Sequence, residues 1–245
     1  LAQLAKQHNL PAVALTDTGN LHGAVEFVQA AQAAGLKPIL GTELRVGAHP
    51  LLLYVANATG YLNLCQLLSR HAEGAAEASA ATKQRRPLKR SLLAEFSDGL
   101  LAVSSDAPLA EFFPGRFYRA VTQREGAVAC PAVHYAQPED RRRYDILQSI
   151  RTLTLLEHDH PEKRRGGRYH FRTPAEMAAG CASHPEWLRA THEIAERCEF
   201  AFPFGKPQFP AFATPDGSPS KAFLRRLVGD GLRRRYAGKR ILSDT

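Results

Sequence analysis

The chain has 245 residues, of which 44% are hydrophobic and 23% charged, a balance that belongs to folded globular proteins and excludes a disordered chain. It contains no run of about eighteen apolar residues, so it offers no membrane-spanning helix, and its opening residues, Leu1 to Lys6, lack both an initiator Met and a secretory pattern. Net charge is +8, with the excess in the runs 83–90, 141–143, 163–165 and 233–235; such runs suit a polyanionic partner, and equally a solvated face or loop tip.

In chain order, residues 1–6 read as the middle of an amphipathic helix, which implies a chain cut at its N-terminus. Residues 12–16 are a short apolar run ending at Asp17, the pattern of a buried strand. Asn20 caps a predicted helix over 21–34, where Leu21, Ala24, Val25, Val28 and Ala31 recur at helical spacing and Gly35 provides the stop. A second strand over 37–43 ends in Glu43, and a third covers 51–56. A helix over 60–71 is expected to bury Leu62, Leu64, Cys65, Leu67 and Leu68. Residues 73–90 change to an Ala/Glu/Ser and then a basic composition, and read as an exposed loop.

Further strands are predicted at 100–104, 116–121 and 127–130, after which the pattern is helical at 138–151, 174–179, 185–197 and 219–236. The Pro- and Phe-rich stretch 201–219 marks a domain boundary near 200. Repeated strand–helix units predict a parallel α/β architecture, barrel or doubly wound, in which chemistry gathers at the strand ends. Asp17, Glu43 and Asp106 all fall near such ends, as metal ligands, acid/base groups, or simple turn and cap residues.

The four cysteines, Cys65, Cys130, Cys181 and Cys198, are scattered without a close pair, and read as small buried hydrophobes in a reducing, cytoplasmic setting. The tract Glu157-His158-Asp159-His160 has metal-binding composition but lies in a polar loop before Pro161, where a solvated turn is the plainer reading.

Two longer stretches carry a resemblance. Residues 11–27, with Leu15-Thr16-Asp17-Thr18-Gly19-Asn20-Leu21-His22-Gly23 at their centre, and residues 34–43, ending Pro38-Ile39-Leu40-Gly41-Thr42-Glu43, resemble successive blocks of the PHP domain of bacterial DNA polymerase III alpha subunits. The likeness continues in order through Gly60-Tyr61-Leu62-Asn63-Leu64, Val133-His134-Tyr135, Tyr169-His170-Phe171-Arg172-Thr173-Pro174-Ala175-Glu176-Met177, Ile194 to Cys198 and Leu224 to Tyr236.

The resemblance implies an α/β fold, a distorted parallel β/α barrel of the PHP type over 1–200, followed by a mainly helical segment over 201–245 that leads into a polymerase palm. It also implies a cluster of metal ions at the strand ends, where paired divalent ions would clamp a phosphodiester and lower the pKa of bound water. By the same resemblance Glu43, His49, Asp106 and His134 occupy ligand positions. Thr18 stands where the family has a histidine and Ala132 where it has an aspartate, and the block with a His-x-His pair is absent.

A cluster missing such donors binds metal poorly, so the ligand set is expected to be vestigial, with no tightly held cofactor and at most residual zinc or manganese. The polymerase reaction, with its magnesium ions, would lie downstream. The implied partners are the DNA primer-template and other replicase subunits, the proofreading exonuclease and the sliding clamp, with no membrane. A working metal-dependent 3′–5′ exonuclease, or the error-prone paralogue of the same polymerase, are the alternatives. The Gly19-Asn20-Leu21 wording is closer to the replicative branch.

Overall fold

A computed structural model describes residues 1–73, 87–120, 128–205 and 210–237. The chain forms two compact units, Leu1–Phe202 and Pro203–Thr245. The first unit begins with helix α1 (Ala2–Gln7), which buries Ala2 and Ala5. Strand β1 (Ala12–Thr18) follows, then helix α2 (Ala24–Ala33), whose buried Ala24, Phe27, Val28 and Ala31 lie at helical spacing. Strand β2 (Lys37–Val46) pairs in parallel with β1.

The next strand, β3 (His49–Val55), runs antiparallel to β2, with Val46 opposite His49. Only Gly47 and Ala48 separate the two strands. Gly47 has φ +59°, a left-handed conformation that glycine adopts without steric cost and that a two-residue hairpin uses. The helices α3 (Ala58–Glu73) and α4 (Arg90–Phe96) lead to β4 (Leu100–Ser104), antiparallel to β3, and a short 3₁₀ turn leads to β5 (Phe117–Arg119), parallel to β4.

Among the described residues the strands thus form one mixed sheet in the order β1-β2-β3-β4-β5. The α/β class stands, but the strand directions depart from the all-parallel expectation. β2 continues past Glu43 to Val46 and turns back on itself at Gly47, so no helix intervenes before β3. Helix α4 is also an addition, since Lys89 and Arg90 read as the end of a basic loop. Of the expected loop at 73–90, residues 74–86 lie outside the described residues, and so do 121–127 in the expected strands around β5.

Both faces of the sheet are covered. On one, Val13, Leu40, Leu44, Leu51, Leu53, Leu100 and Ala102 pack against α2, α3 and α4 through Phe27, Val28, Leu64, Leu67, Leu93 and Phe96. Full burial of a leucine contributes about 1.5–3 kcal/mol, and six leucines here are fully buried, Leu51, Leu53, Leu64, Leu67, Leu93 and Leu100. On the other face Ile39, Tyr54, Leu101, Val103 and Val128 pack with Ile194 and Cys198.

Helix α5 (Arg141–Thr152), helix α6 (Pro174–Gly180) and helix α7 (Glu186–Arg197) complete the unit. Helix α6 starts with a reciprocal cap: Glu176 N–H donates to Thr173 Oγ1 at 3.2 Å, and Thr173 N–H donates to Glu176 Oε2 at 2.8 Å. The Lys37 ammonium donates to the Ala195 and Glu196 carbonyls at 2.6 and 3.3 Å, capping the negative end of α7 and tying it to β2. The second unit contains α8 (Ser220–Tyr236).

Candidate functional site

Strand register defines the surroundings of Glu43. Paired residues in a sheet project to the same face, and successive residues to opposite faces. Thr18 pairs with Glu43, Glu43 with Leu52, Leu52 with Val103, and Val103 with Tyr118. This row lies on the face that carries Ile39 and Tyr54. Glu43 is half-buried and Thr18 exposed, and the Glu43 carbonyl accepts from Gly19 N–H at 2.9 Å.

The nearby Tyr54 hydroxyl lies 3.3 Å from Cys130 Sγ. Burial pushes the Tyr54 hydroxyl well above its ordinary range, with Cys130 adding to the shift and Glu43 contributing a smaller push of the same sign. Burial likewise raises the Cys130 thiol; the Tyr54 hydroxyl opposes the shift and the Glu43 charge adds to it. Glu43 therefore faces a protonated, neutral pair. Sequence patterning missed Tyr54 and Cys130 as its neighbours, because only the register places them on its side of the sheet.

His49 and Asp106 belong to a different surface. His49 pairs with Val46 and shares its alternation with Leu51 and Leu53, so it projects to the face opposite Glu43. Its Nδ1 lies 3.2 Å from Ser105 Oγ. Asp106, just past β4, accepts from the Arg90 guanidinium at 2.9 Å, and its own N–H donates to Ser104 Oγ at 3.2 Å. The structure brings His49 and Asp106 to one rim and separates both from Glu43. Asp17 and Glu43 lie within their strands, which continue past the expected ends to Thr18 and Val46. The Asp17 carboxylate projects to the α2 face, where its Oδ2 would be 3.4 Å from a Cβ at Gly23.

His134 takes a third position. Its N–H donates to the Tyr169 carbonyl at 2.8 Å. Its ring stacks on Tyr144 at a centroid distance of 5.6 Å and lies 5.4 Å from the Tyr169 ring. The ring thus packs within an aromatic cluster that α5 and the 169–170 segment build.

A hydrolytic metal centre requires three or more donors converging on an ion. Among the described residues no group of three His, Cys, Asp or Glu side chains is placed to hold one. Glu43, His49, Asp106 and His134 as arranged here do not fit a metal cluster. The four cysteines are free thiols, with Cys181 and Cys198 buried.

The basic runs divide in the same way. Lys163 is fully buried, and its ammonium donates to the carbonyls of Leu155, Leu156 and His158 at 2.6, 3.2 and 2.6 Å. Arg165 pairs with Asp159 at 2.7 Å, and Arg141 with Asp145 at 3.3 Å. His160 Nδ1 accepts from Glu162 N–H at 3.2 Å, so part of the 157–160 tract caps a short turn. The run 163–165 is therefore largely an internal fastening, a role that composition cannot distinguish from a polyanion-binding patch. Residues 83–86 of the first run lie outside the described residues.

Residues 1–149 match the model of the PHP domain family. The chain is 34% identical to an error-prone DNA polymerase of Symbiobacterium thermophilum, over 95% of this chain and 26% of that protein. It is 32% identical to the DNA polymerase III subunit alpha of Thermus aquaticus, over 92% of this chain and 23% of that protein. With the corresponding subunit of Pseudomonas aeruginosa it shares 29% identity, over 96% of this chain and 24% of the relative. The chain thus spans only a minor part of the length of the relatives it matches. No helix among the described residues is long and apolar enough to cross a membrane.

Proposed function

Because the chain belongs to the PHP domain family, we propose that it serves as the PHP module of a longer bacterial DNA polymerase, supporting DNA synthesis as a scaffold without cleaving phosphodiesters itself. The separation of the expected ligands carries this reading: Glu43 on one sheet face, His49 and Asp106 on the other, and His134 in an aromatic cluster. A nucleophilic water needs an ion or a base close to the phosphorus, and Glu43 here faces Thr18 and the neutral Tyr54–Cys130 pair.

In this reading residues 1–200 form the module and 201–245 begin the connection to the polymerase palm, where magnesium-dependent chemistry resides. Primer-template DNA and the other replicase subunits, including a proofreading exonuclease and a sliding clamp, are its partners, and its setting is the cytoplasm. The relatives include both replicative and error-prone polymerases, and the parent is taken as the replicative form from its Gly19-Asn20-Leu21 wording.

The purified chain is tested on a 5′-labelled primer-template with magnesium and deoxynucleotides, and on a single-stranded 3′ end with manganese or zinc. Neither extension nor shortening is expected. Shortening that Glu43→Ala or a chelator abolishes would establish the exonuclease alternative instead.

A further inference from the structure

Helix α5 presents its aliphatic residues outward. It buries Tyr144 and Ser149, while Leu147 is 63% and Ile150 67% exposed. Leu153, just beyond its end, is 94% exposed and left-handed at φ 53°, a conformation uncommon for a residue with a bulky side chain. Ile146 on the helix, and Leu155 and Leu156 in the turn beyond it, are exposed as well. A monomeric soluble domain rarely leaves so many large aliphatic side chains together in water, and such patches mark interaction sites.

The surface is also held in shape. The Lys163 ammonium holds the carbonyls of Leu155, Leu156 and His158, and Tyr144 Oη donates to the Glu162 carbonyl at 2.9 Å. A turn fixed in this way loses little freedom when something binds to it. The charge on the helix itself is basic at both edges of the aliphatic face. Arg141 pairs with Asp145, Arg143 with Asp140, and in the turn beyond Arg165 with Asp159, while Arg142 and Arg151 stand exposed on either side of Leu147 and Ile150.

We propose that the outer face of α5 and the turn beyond it form a docking surface for an acidic, leucine-bearing amphipathic helix of a partner protein. Leucines on that helix would cover Leu147, Ile150 and Leu153, and its carboxylates would meet Arg142 and Arg151. A nucleic acid would pair with the arginines but leave the aliphatic centre unmatched. A second copy of this chain would set the same arginines against each other. The inference does not depend on the polymerase reading.

The test uses a fluorescein-labelled peptide of about 18 residues, long enough to hold a helix, with leucines at helical spacing and glutamates elsewhere. Micromolar binding to the full chain is expected, with a scrambled peptide of the same composition about tenfold weaker. Leu147→Ser with Ile150→Ser, and separately Arg142→Glu with Arg151→Glu, should each weaken binding by about tenfold while the far-UV spectrum and thermal midpoint remain unchanged. The two pairs alter different chemistry on one surface, so if one pair fails to fold the other decides. Amide exchange should slow across 146–156 in the complex. The proposal is overturned by no binding, by equal binding of the scrambled peptide, or by affinity that survives the substitutions. Engagement of Leu147 and Ile150 by single-stranded oligonucleotide or anionic vesicles in preference to the peptide would also overturn it.

Discussion

Thr18 and Glu43 are register partners across the parallel β1–β2 pair and project from the same face of the sheet. A histidine in the place of Thr18 would set an imidazole beside the carboxylate, and threonine offers only a neutral hydroxyl. Thr18→His is therefore expected to raise affinity for zinc or manganese by about tenfold over the parent chain. Competition with a zinc-sensitive dye measures the change. An unchanged affinity would mean that Glu43 contributes nothing to an ion at this position.

Gly60, in the first turn of α3, lies directly on the Gly99 turn before β4. A Cβ at Gly60 would sit 1.9 Å from the Gly99 carbonyl oxygen, and that neighbour is backbone, which cannot rotate away. Gly60→Ala should lower stability by about 2 kcal/mol, in the range of an overpacked core. Urea denaturation reads it directly, and a loss under half a kcal/mol would show that α3 slides freely along β4.

Lys163→Met should be costly for a different reason. It removes a buried ammonium and with it the hydrogen bonds to three carbonyls that shape the 155–158 turn. A loss of about 3 kcal/mol is expected, together with faster protease cleavage between 153 and 165. Wild-type resistance to cleavage would show that the turn holds without its lysine.

Glu176 governs an acid-range effect. The Thr173 backbone N–H, then the His170 ring and the Thr173 hydroxyl, lower its carboxyl from 4.5 to about 2. A carboxyl depressed in the folded state adds stability above its unfolded pKa and loses it as pH falls through the folded value. The contribution should be fully present above about pH 4.5 and vanish toward pH 2. In Glu176→Gln that part of the pH dependence should disappear, while neutral-pH stability falls slightly. Thermal midpoints between pH 2 and 7 provide the comparison, and identical slopes in the two proteins would reject the assignment.

Much of the local order is legible in the sequence, because apolar spacing is a property of contiguous residues. The run 100–104 is β4 residue for residue, and Leu64 and Leu67 of the 60–71 stripe are buried on α3, whereas Leu62, expected with them, is exposed. The four residues assigned to the metal by family likeness could also be placed near strands. Their mutual positions could not, because these depend on which strand pairs with which and in what register.

A glycine at 47 that turns β2 back as β3 places His49 and Glu43 on opposite faces, although only five residues separate them. Arg90 occupies Asp106 from a helix that the basic composition hid, and Lys163, one of a charged run, turns inward to three carbonyls. The sequence by itself determined the family, the α/β class and most of the elements, since each is encoded in short-range pattern. Tertiary structure alone decided which side chains meet, because sheet register and the pairing of buried charge join residues distant along the chain.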